Sequence, residues 1–525
     1  MKKLIVITAV LSLFALSCGD GGGGRGGGSG PQRGGFSGSV AVTAGTKQIE
    51  NFLAQDLSND RGDFYTVTAT HFASSPRCDV WVENGSGISE AIAIEIAREY
   101  SNNIYLKIMN NFGWRDNFSV NGLVMSFNTL SLANWRLDGS LEKEKLTILL
   151  LDIKGSSSGN SVVAGYFWAG NFLSKASEPN SNECAMIYMN VNPAVGRPAT
   201  ASFYGTLAHE MQHLLNSITS TVYRGGSSMD TWIDEGLSEV AEYIYSGKDT
   251  SDRIGYYKAD PTGLIKQGNN FFVWDNRSDP KTGGDPDAAL DDYATAYLFF
   301  RWLGLQAGNK IYFDIIVSNQ NDYGAITNSL NAGVSGQGYN DWETVLRTWY
   351  AANYINSPSG PYGYRRKING LTKHYAPTGI DRIKLYPGEG VFSLIETEPS
   401  LLIGPNIRYA GLNAATVPPQ VNTSGGTYTG TLLTYNINTS LSYDADGNLV
   451  DTSEDGTVTG VAVKVLPQGS SFSMQYNASG FSGPFRISAG DMMRRRGFEK
   501  TQTGGNKFVF DDGFRAVLLP EKEND

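Results

Sequence analysis

The chain has 525 residues, too many for one ordinary core, and the usual domain size implies roughly three folded units once a leader and a linker are set aside. Its 42 basic residues against 52 acidic ones give a net charge of −10, which argues against a binder of nucleic acid or of an anionic membrane surface. The one dense basic run, Arg494-Arg495-Arg496, reads as a solvated patch.

At the N-terminus Lys2 and Lys3 precede an apolar run over 4–15, followed by Leu16-Ser17-Cys18. That run is too short to span a bilayer as a mature helix, so residues 1–18 have the grammar of a secretory leader. A small residue just before a cysteine resembles the lipobox of bacterial lipoproteins, which implies cleavage before Cys18 and lipidation on it; Ala15 stands where that motif most often has leucine. The expectation is export, to the cell envelope or surface through a lipid anchor, or else plain secretion. Residues 19–39 are nearly all Gly, Ser, Arg, Pro and Gln and predict a flexible tether. Setting Cys18 aside leaves Cys78 and Cys184, which permit one disulfide or two isolated thiols.

Residues 40–375 form the main expected folded unit, with an α+β part over 40–200 and a helical part over 201–375. Tyr65-Thr66-Val67-Thr68-Ala69-Thr70 and Val80-Trp81-Val82 have the β-branched and aromatic content of strands. Ile92, Ile96, Tyr100, Ile104 and Ile108 keep a spacing of four and predict a long amphipathic helix broken near Asn102-Asn103. Residues 146–153 predict a buried strand, and 185–191 alternate like another, so this part carries a sheet. After Pro198, the positions Tyr204, Leu207, Ala208, Met211, Leu214, Leu215 and Ile218 make a core stripe at helical spacing. A second helix is predicted over 230–245 with Asp230 as its cap, and further helices over 291–303 and 341–355. Past about 375 the helical period vanishes. Short apolar runs between Gly, Asn, Asp and Ser clusters then predict a β-rich sandwich or barrel over 376–525. Asp444-Ala445-Asp446-Gly447-Asn448 is an oxygen-rich turn of the kind that can hold calcium, but such turns are common in β-rich chains, and the plain turn is the favoured reading.

The chemistry lies in His209-Glu210-Met211-Gln212-His213, which holds two of the chain's four histidines. On a helix, residues four apart share a face, so both imidazoles can grip one zinc ion while Glu210 reaches the water bound there. A catalytic zinc takes three protein ligands and keeps one open position, so a third ligand is required. His71 and His374 stand far off without a motif. The better candidates lie in Trp232-Ile233-Asp234-Glu235-Gly236-Leu237-Ser238-Glu239, where a carboxylate of the first helical turn can face the cleft. Glu239, one turn later, can accept a hydrogen bond from a ligating imidazole. Taken alone, those acids would be a solvated helix face.

His209-Glu210-x-x-His213 followed by a helical glutamate resembles the gluzincin metallopeptidases, and Trp232-x-x-Glu235-Gly236 is similar to the third-ligand segment of the aminopeptidase N group. The flanking sequence resembles the hyicolysin family of secreted neutral metallopeptidases: Cys78-Asp79-Val80-Trp81-Val82, Met186-Ile187-Tyr188, Leu207-Ala208-His209-Glu210-x-Gln212-His213 and Tyr293-Ala294-x-x-Tyr297-Leu298-Phe299 look like its landmarks, over roughly 40–355. The resemblance implies a thermolysin-like zincin unit in which His209, His213 and Glu235 bind one zinc and Glu210 is the general base. It also implies a donor to the developing oxyanion, with Tyr293 first, Tyr223 and Tyr297 in reserve and His374 a distant fourth. In a chain with 27 tyrosines, any one of them is as readily a packing residue.

The glycine-rich exopeptidase signature of aminopeptidase N relatives is missing, which favours an endopeptidase acting on proteins or peptides. The alternatives kept open are an aminopeptidase of the same zincin class, a hydrolase of non-peptide substrates, and a lipid-anchored binding protein with an inactive peptidase unit.

Overall fold

The computed structural model describes residues 35–439 with interruptions, the longest at 269–288 and 396–405, and beyond them 454–455 and 514–520. The leader, Cys18, most of the glycine-rich stretch, the Asp444 turn and the arginine run lie outside the described residues. The fold is mixed α+β, compatible with a zincin. Its centre is a nine-stranded sheet built from β1 (Thr43–Ala44), β2 (Ile49–Gln55), β3 (Phe64–Ser74), β4 (Cys78–Glu83), β5 (Leu146–Leu151), β6 (Ser157–Ser158), β7 (Ser161–Trp168), β8 (Met186–Asn190) and a late strand at 514–520. The order is β1-β3-β4-β5-β8-β7-β6, with β2 on β3 and the late strand on β7.

In that sheet β4, β5 and β8 run parallel, while β7 turns antiparallel to β8. Central parallel strands are covered on both faces, so they favour continuous apolar runs. Leu146–Leu151 and Met186–Asn190 are accordingly buried at every position, and the alternation expected of 185–191 does not separate an inner from an outer face. The longer β3, one strand from the edge, does alternate, with Val67, Ala69, His71 and Ala73 inward.

The helix predicted over 88–112 is α1 (Glu90–Glu99) and α2 (Tyr105–Phe112), joined by a π-helical turn at Tyr100–Ile104. Where a break was expected at Asn102-Asn103, the chain inserts one wide turn and continues. Asn102 and Asn110 then pin the incoming chain. Asn110 accepts from the Phe36 amide at 2.7 Å and donates to the Phe36 carbonyl at 2.8 Å, and Asn102 pairs in the same way with Val40. The last residues of the glycine-rich stretch are thus docked on the fold.

The helical part comprises α3 (Ala201–Ser217), α4 (Thr231–Ser246), α5 (Ser251–Ala259), α6 (Ala289–Ala307), α7 (Lys310–Ile316), α8 (Tyr323–Gly333) and α9 (Trp342–Ile355). Thr200 caps α3 by accepting from the Phe203 amide, and Asp341 caps α9 through Thr344. Asp230 stands at the cap position of α4 but makes no side-chain capping bond. Trp232 of α4, Phe299 of α6 and Trp342 of α9 meet edge to face or tilted, with ring centroids 5.8–6.0 Å apart, and lock the three helices together.

Past α9, β9 (Gly390–Ile395), β10 (Ile407–Asn413), β11 (Gln420–Asn422) and β12 (Gly430–Asn436) form one antiparallel sheet in the order β9-β12-β10-β11. Among the described residues this four-stranded sheet is seated on α9, and a separate two-stranded pairing joins Lys384–Leu385 to Glu454–Asp455, where a sandwich or barrel was expected. Tyr350 of α9 donates to the Gly388 carbonyl at 2.6 Å, and Arg408 reaches Glu343 at 3.4 Å. The strand at Phe514–Pro520, β13, pairs antiparallel with β7 of the central sheet, Arg515 opposite Phe167. Cys78 and Cys184 are both buried, and no disulfide joins them. Among the described residues, no helix is long and apolar enough to cross a membrane.

Candidate metal centre

Helix α3 lies against β7 and β8 of the sheet and against α4. Gly165 of β7 permits the close approach, since a Cβ there would sit 3.2 Å from the Thr206 methyl and 2.9 Å from the Tyr188 carbonyl. The helical spacing turns His209 and His213 to one side, with their Nε2 atoms 3.0 Å apart. Glu235, in the first turns of α4, brings Oε2 to 3.5 Å from each of them. All three side chains are buried to within 1% of full enclosure.

A tetrahedral ion with zinc–nitrogen and zinc–oxygen bonds of about 2.05 Å spaces its ligand atoms by about 3.3 Å. The observed separations of 3.0, 3.5 and 3.5 Å fit that triangle. The donor set of two imidazoles and one carboxylate is also one that suits zinc in a catalytic site. The residues therefore fit a divalent cation.

Each imidazole has its second nitrogen facing carboxylates from behind, and for His213 those partners decide the tautomer. Nδ1 of His213 faces Oδ1 of Asp234 at 3.1 Å and the Ser238 hydroxyl at 3.0 Å. Ser238 gives its own proton to Gln212, and Asn216 donates to Asp234 at 2.5 Å. These partners call for a proton on Nδ1 of His213 and leave the Nε2 lone pair for a ligand. Nδ1 of His209 faces Glu242 at 3.6 Å and Glu239 at 3.8 Å. Glu239, expected to accept from a ligating imidazole, instead accepts two bonds from Arg253 of α5, at 2.7 and 2.9 Å.

Charge around the centre is strongly one-sided. Burial alone would lower the pKa of His209, but the Glu235 and Glu242 carboxylates outweigh it and hold the imidazole up to about 9. Burial likewise opposes the charged form of His213, and Asp234 and Glu235 raise it. Glu210 is wholly buried, and its carboxyl is pushed well above the ordinary carboxylate range by desolvation, against the pull of His209. A carboxyl so raised is suited to holding and passing a proton.

Tyr293, at the start of α6, is buried with its ring 4.6 Å from the Arg253 guanidinium, so Arg253 joins it to Glu239 beside His209. Tyr297 donates to Asp249 at 2.9 Å, next to the Arg301–Asp249 pair, and serves the α4–α6 packing. His374 bonds the Tyr257 carbonyl at 2.6 Å and faces Asp260, so its partners are on α5 and its C-cap. Tyr223 closes a π-helical turn after α3, and its side chain lies outside the described residues. His71 stacks on Trp81 in the sheet and pairs with Asp79 at 3.3 Å.

Sequence reasoning did not single out Asp234, Ser238 and Arg253. The first two were findable, since Asp234 and Ser238 stand four apart on the helix that carries Glu235 and so share a face. Arg253 carries no local signal, because its role arises only where α5 folds back on α4.

No protein-family model matches the chain. Over 311 residues, 56% of the chain, it is 26% identical to the neutral metalloprotease ShpI of Staphylococcus hyicus, and the match spans 63% of that protein, less than two thirds of its length. The chain is similar to this metalloprotease, and the similarity supports placing it among the metallopeptidases.

Proposed function

We propose that the protein is an exported zinc-dependent endopeptidase. The observation that carries the reading is the meeting of His209 and His213 of α3, the helix that also carries Glu210, with Glu235 of α4, their ligand atoms within 3.5 Å of one another in a buried site. The similarity to a neutral metalloprotease supports the same class of chemistry.

In this proposal His209, His213 and Glu235 hold one zinc. The ion, when bound, supplies Lewis acidity at the scissile carbonyl and makes the attacking water more acidic. Glu210 takes the proton of that water on its carboxylate, keeps it in its desolvated pocket, and gives it to the departing amine. Asp234 and Ser238 hold the ring of His213 in place by accepting from Nδ1. Tyr293, whose ring lies against Arg253, is the proposed donor to the developing oxyanion, as the resemblance to the metallopeptidases implies.

The proposal extends to location and organisation. Residues 1–18 are a leader ending at a lipidated Cys18, 19–39 a tether, 40–375 the peptidase, and 376–525 an appended β-rich part. Substrates are proteins or peptides.

The test is Glu210→Gln, which keeps size and burial but removes the proton acceptor. It is expected to retain one zinc per chain by elemental analysis while losing casein cleavage by at least about a thousandfold. Undiminished cleavage would sink the mechanism. Wild-type protein that binds zinc yet cleaves no peptide would point to the binding role.

A further inference from the structure

The second nitrogen of His209 has two acidic neighbours and can be oriented by only one of them. Oε1 of Glu242 is the nearer, at 3.6 Å, against 3.8 Å for Oε1 of Glu239. The two glutamates lie on successive turns of α4, both turned inward and at most 6% exposed. What separates them is Arg253. Its Nη2 and Nε each donate to a different oxygen of Glu239, and the guanidinium is itself 1% exposed, with its face on the Tyr293 ring. Such two-point guanidinium–carboxylate pairs are strong and fix orientation as well as distance. Turning Glu239 toward His209 would break one of those bonds inside a dry core, whereas turning Glu242 breaks neither.

We propose that Glu242, not Glu239, is the carboxylate that orients the metal-binding ring of His209, and that Arg253 is a positioning residue which enforces this choice by occupying Glu239. The inference rests on the zinc reading above and deepens it. The usual carboxylate position, one turn after the third ligand, becomes a structural anchor between α4 and α5, and the orienting role moves one further turn along α4.

Zinc affinity measured by chelator competition, alongside thermal unfolding of the metal-free protein, tests this without reference to activity. Glu242→Gln is expected to weaken zinc binding about 10- to 100-fold, the usual effect of losing a carboxylate behind a ligating histidine. Its metal-free unfolding temperature should not fall. Glu239→Gln can still accept one bond from Arg253 and is expected to bind zinc within about threefold of wild type while its metal-free form unfolds earlier. The visible spectrum of the cobalt-loaded protein should shift in Glu242→Gln and stay unchanged in Glu239→Gln.

Arg253→Met supplies the third arm. With Glu239 released to serve His209, adding Glu242→Gln in that background should cost less than about threefold in zinc affinity. Equal losses from the two glutamine variants, or a larger loss from Glu239→Gln, would overturn the proposal, as would a full Glu242→Gln penalty in the Arg253→Met background. If wild-type protein binds no zinc, both this inference and the peptidase reading fall. If it binds zinc and Glu242→Gln matches it, only this inference does.

Discussion

A histidine can serve a metal with one nitrogen only when its proton is held on the other, so the groups behind the two imidazoles matter as much as the ligands. Those groups differ in how far the sequence revealed them. The ligand pair and Glu210 are legible because a helix converts a spacing of four into a shared face, and chance seldom puts two of four histidines there. Asp234 and Ser238 follow from the same rule once Glu235 is placed. The partner of His209 was not legible, since Glu239 and Glu242 both face inward and only Arg253, from a different helix, distinguishes them. His374 shows the same limit from the other side: rarity made it a candidate, yet its neighbours are Tyr257 and Asp260. Burial lowers its pKa to about 4, against an ordinary value near 6.5. A depressed histidine supports the fold fully above the unfolded value and loses that support as pH falls toward the folded one, because the unfolded chain takes a proton that the native chain refuses. Asp260, pushed up to about 6 by burial, acts in the opposite sense but is present in both proteins compared. His374→Gln should therefore gain stability relative to wild type between pH 6.5 and 4, by up to about 1.4 kcal/mol per pH unit, in urea unfolding followed across that range. Parallel pH profiles for the two proteins would refute this.

At the scale of elements, periodicity located the helices well and their ends or irregularities less so. The spacing of Ile92, Ile96, Tyr100, Ile104 and Ile108 gave the α1–α2 rod, but a π-helical turn is invisible in a pattern that only counts apolar positions. Met186–Asn190 is the strand expected over 185–191, but its alternation separates no inner from outer face, because a central parallel strand is buried on both. Helix α4 shows what close packing demands of sequence. Gly236 directly follows the third ligand, and a Cβ there would lie 2.2 and 2.4 Å from carbons of the Phe300 ring on α6. That ring belongs to the aromatic cluster holding α4 against α6 and cannot retreat into solvent. Gly236→Ala adds one methyl and normally favours a helix, yet here it must push α4 away from α6. It should cost about 1–3 kcal/mol in unfolding free energy and displace Glu235, lowering zinc affinity in parallel. Greater stability, as helix propensity alone predicts, would show that Phe300 has room to move.

At the scale of the whole molecule, the sheet-then-helices order was legible from the sequence, while the course of the tail was not. Short strands between turn residues indicate a β-rich region without saying which sheet each strand joins, and β13 adds to β7 of the central sheet. The larger consequence concerns charge. Glu210, Asp234, Glu235, Glu239 and Glu242 converge in the buried interior around two histidines, and Arg253 is the cation that pairs directly with one of them. Buried carboxylates in such number oppose one another and favour the folded chain only when positive charge joins them. A divalent ion bound by the native chain and not by the unfolded one supplies that charge, and mass action then adds about 4 kcal/mol at a thousandfold excess over the dissociation constant. For a unit of this size that corresponds to about 6 °C in the unfolding midpoint. Treating the purified protein with a chelator should lower its melting temperature by that order, adding zinc back should restore it, and magnesium, which prefers octahedral oxygen ligands, should not. A melting temperature indifferent to both treatments would mean that these carboxylates are stabilised by protons and by Arg253 alone.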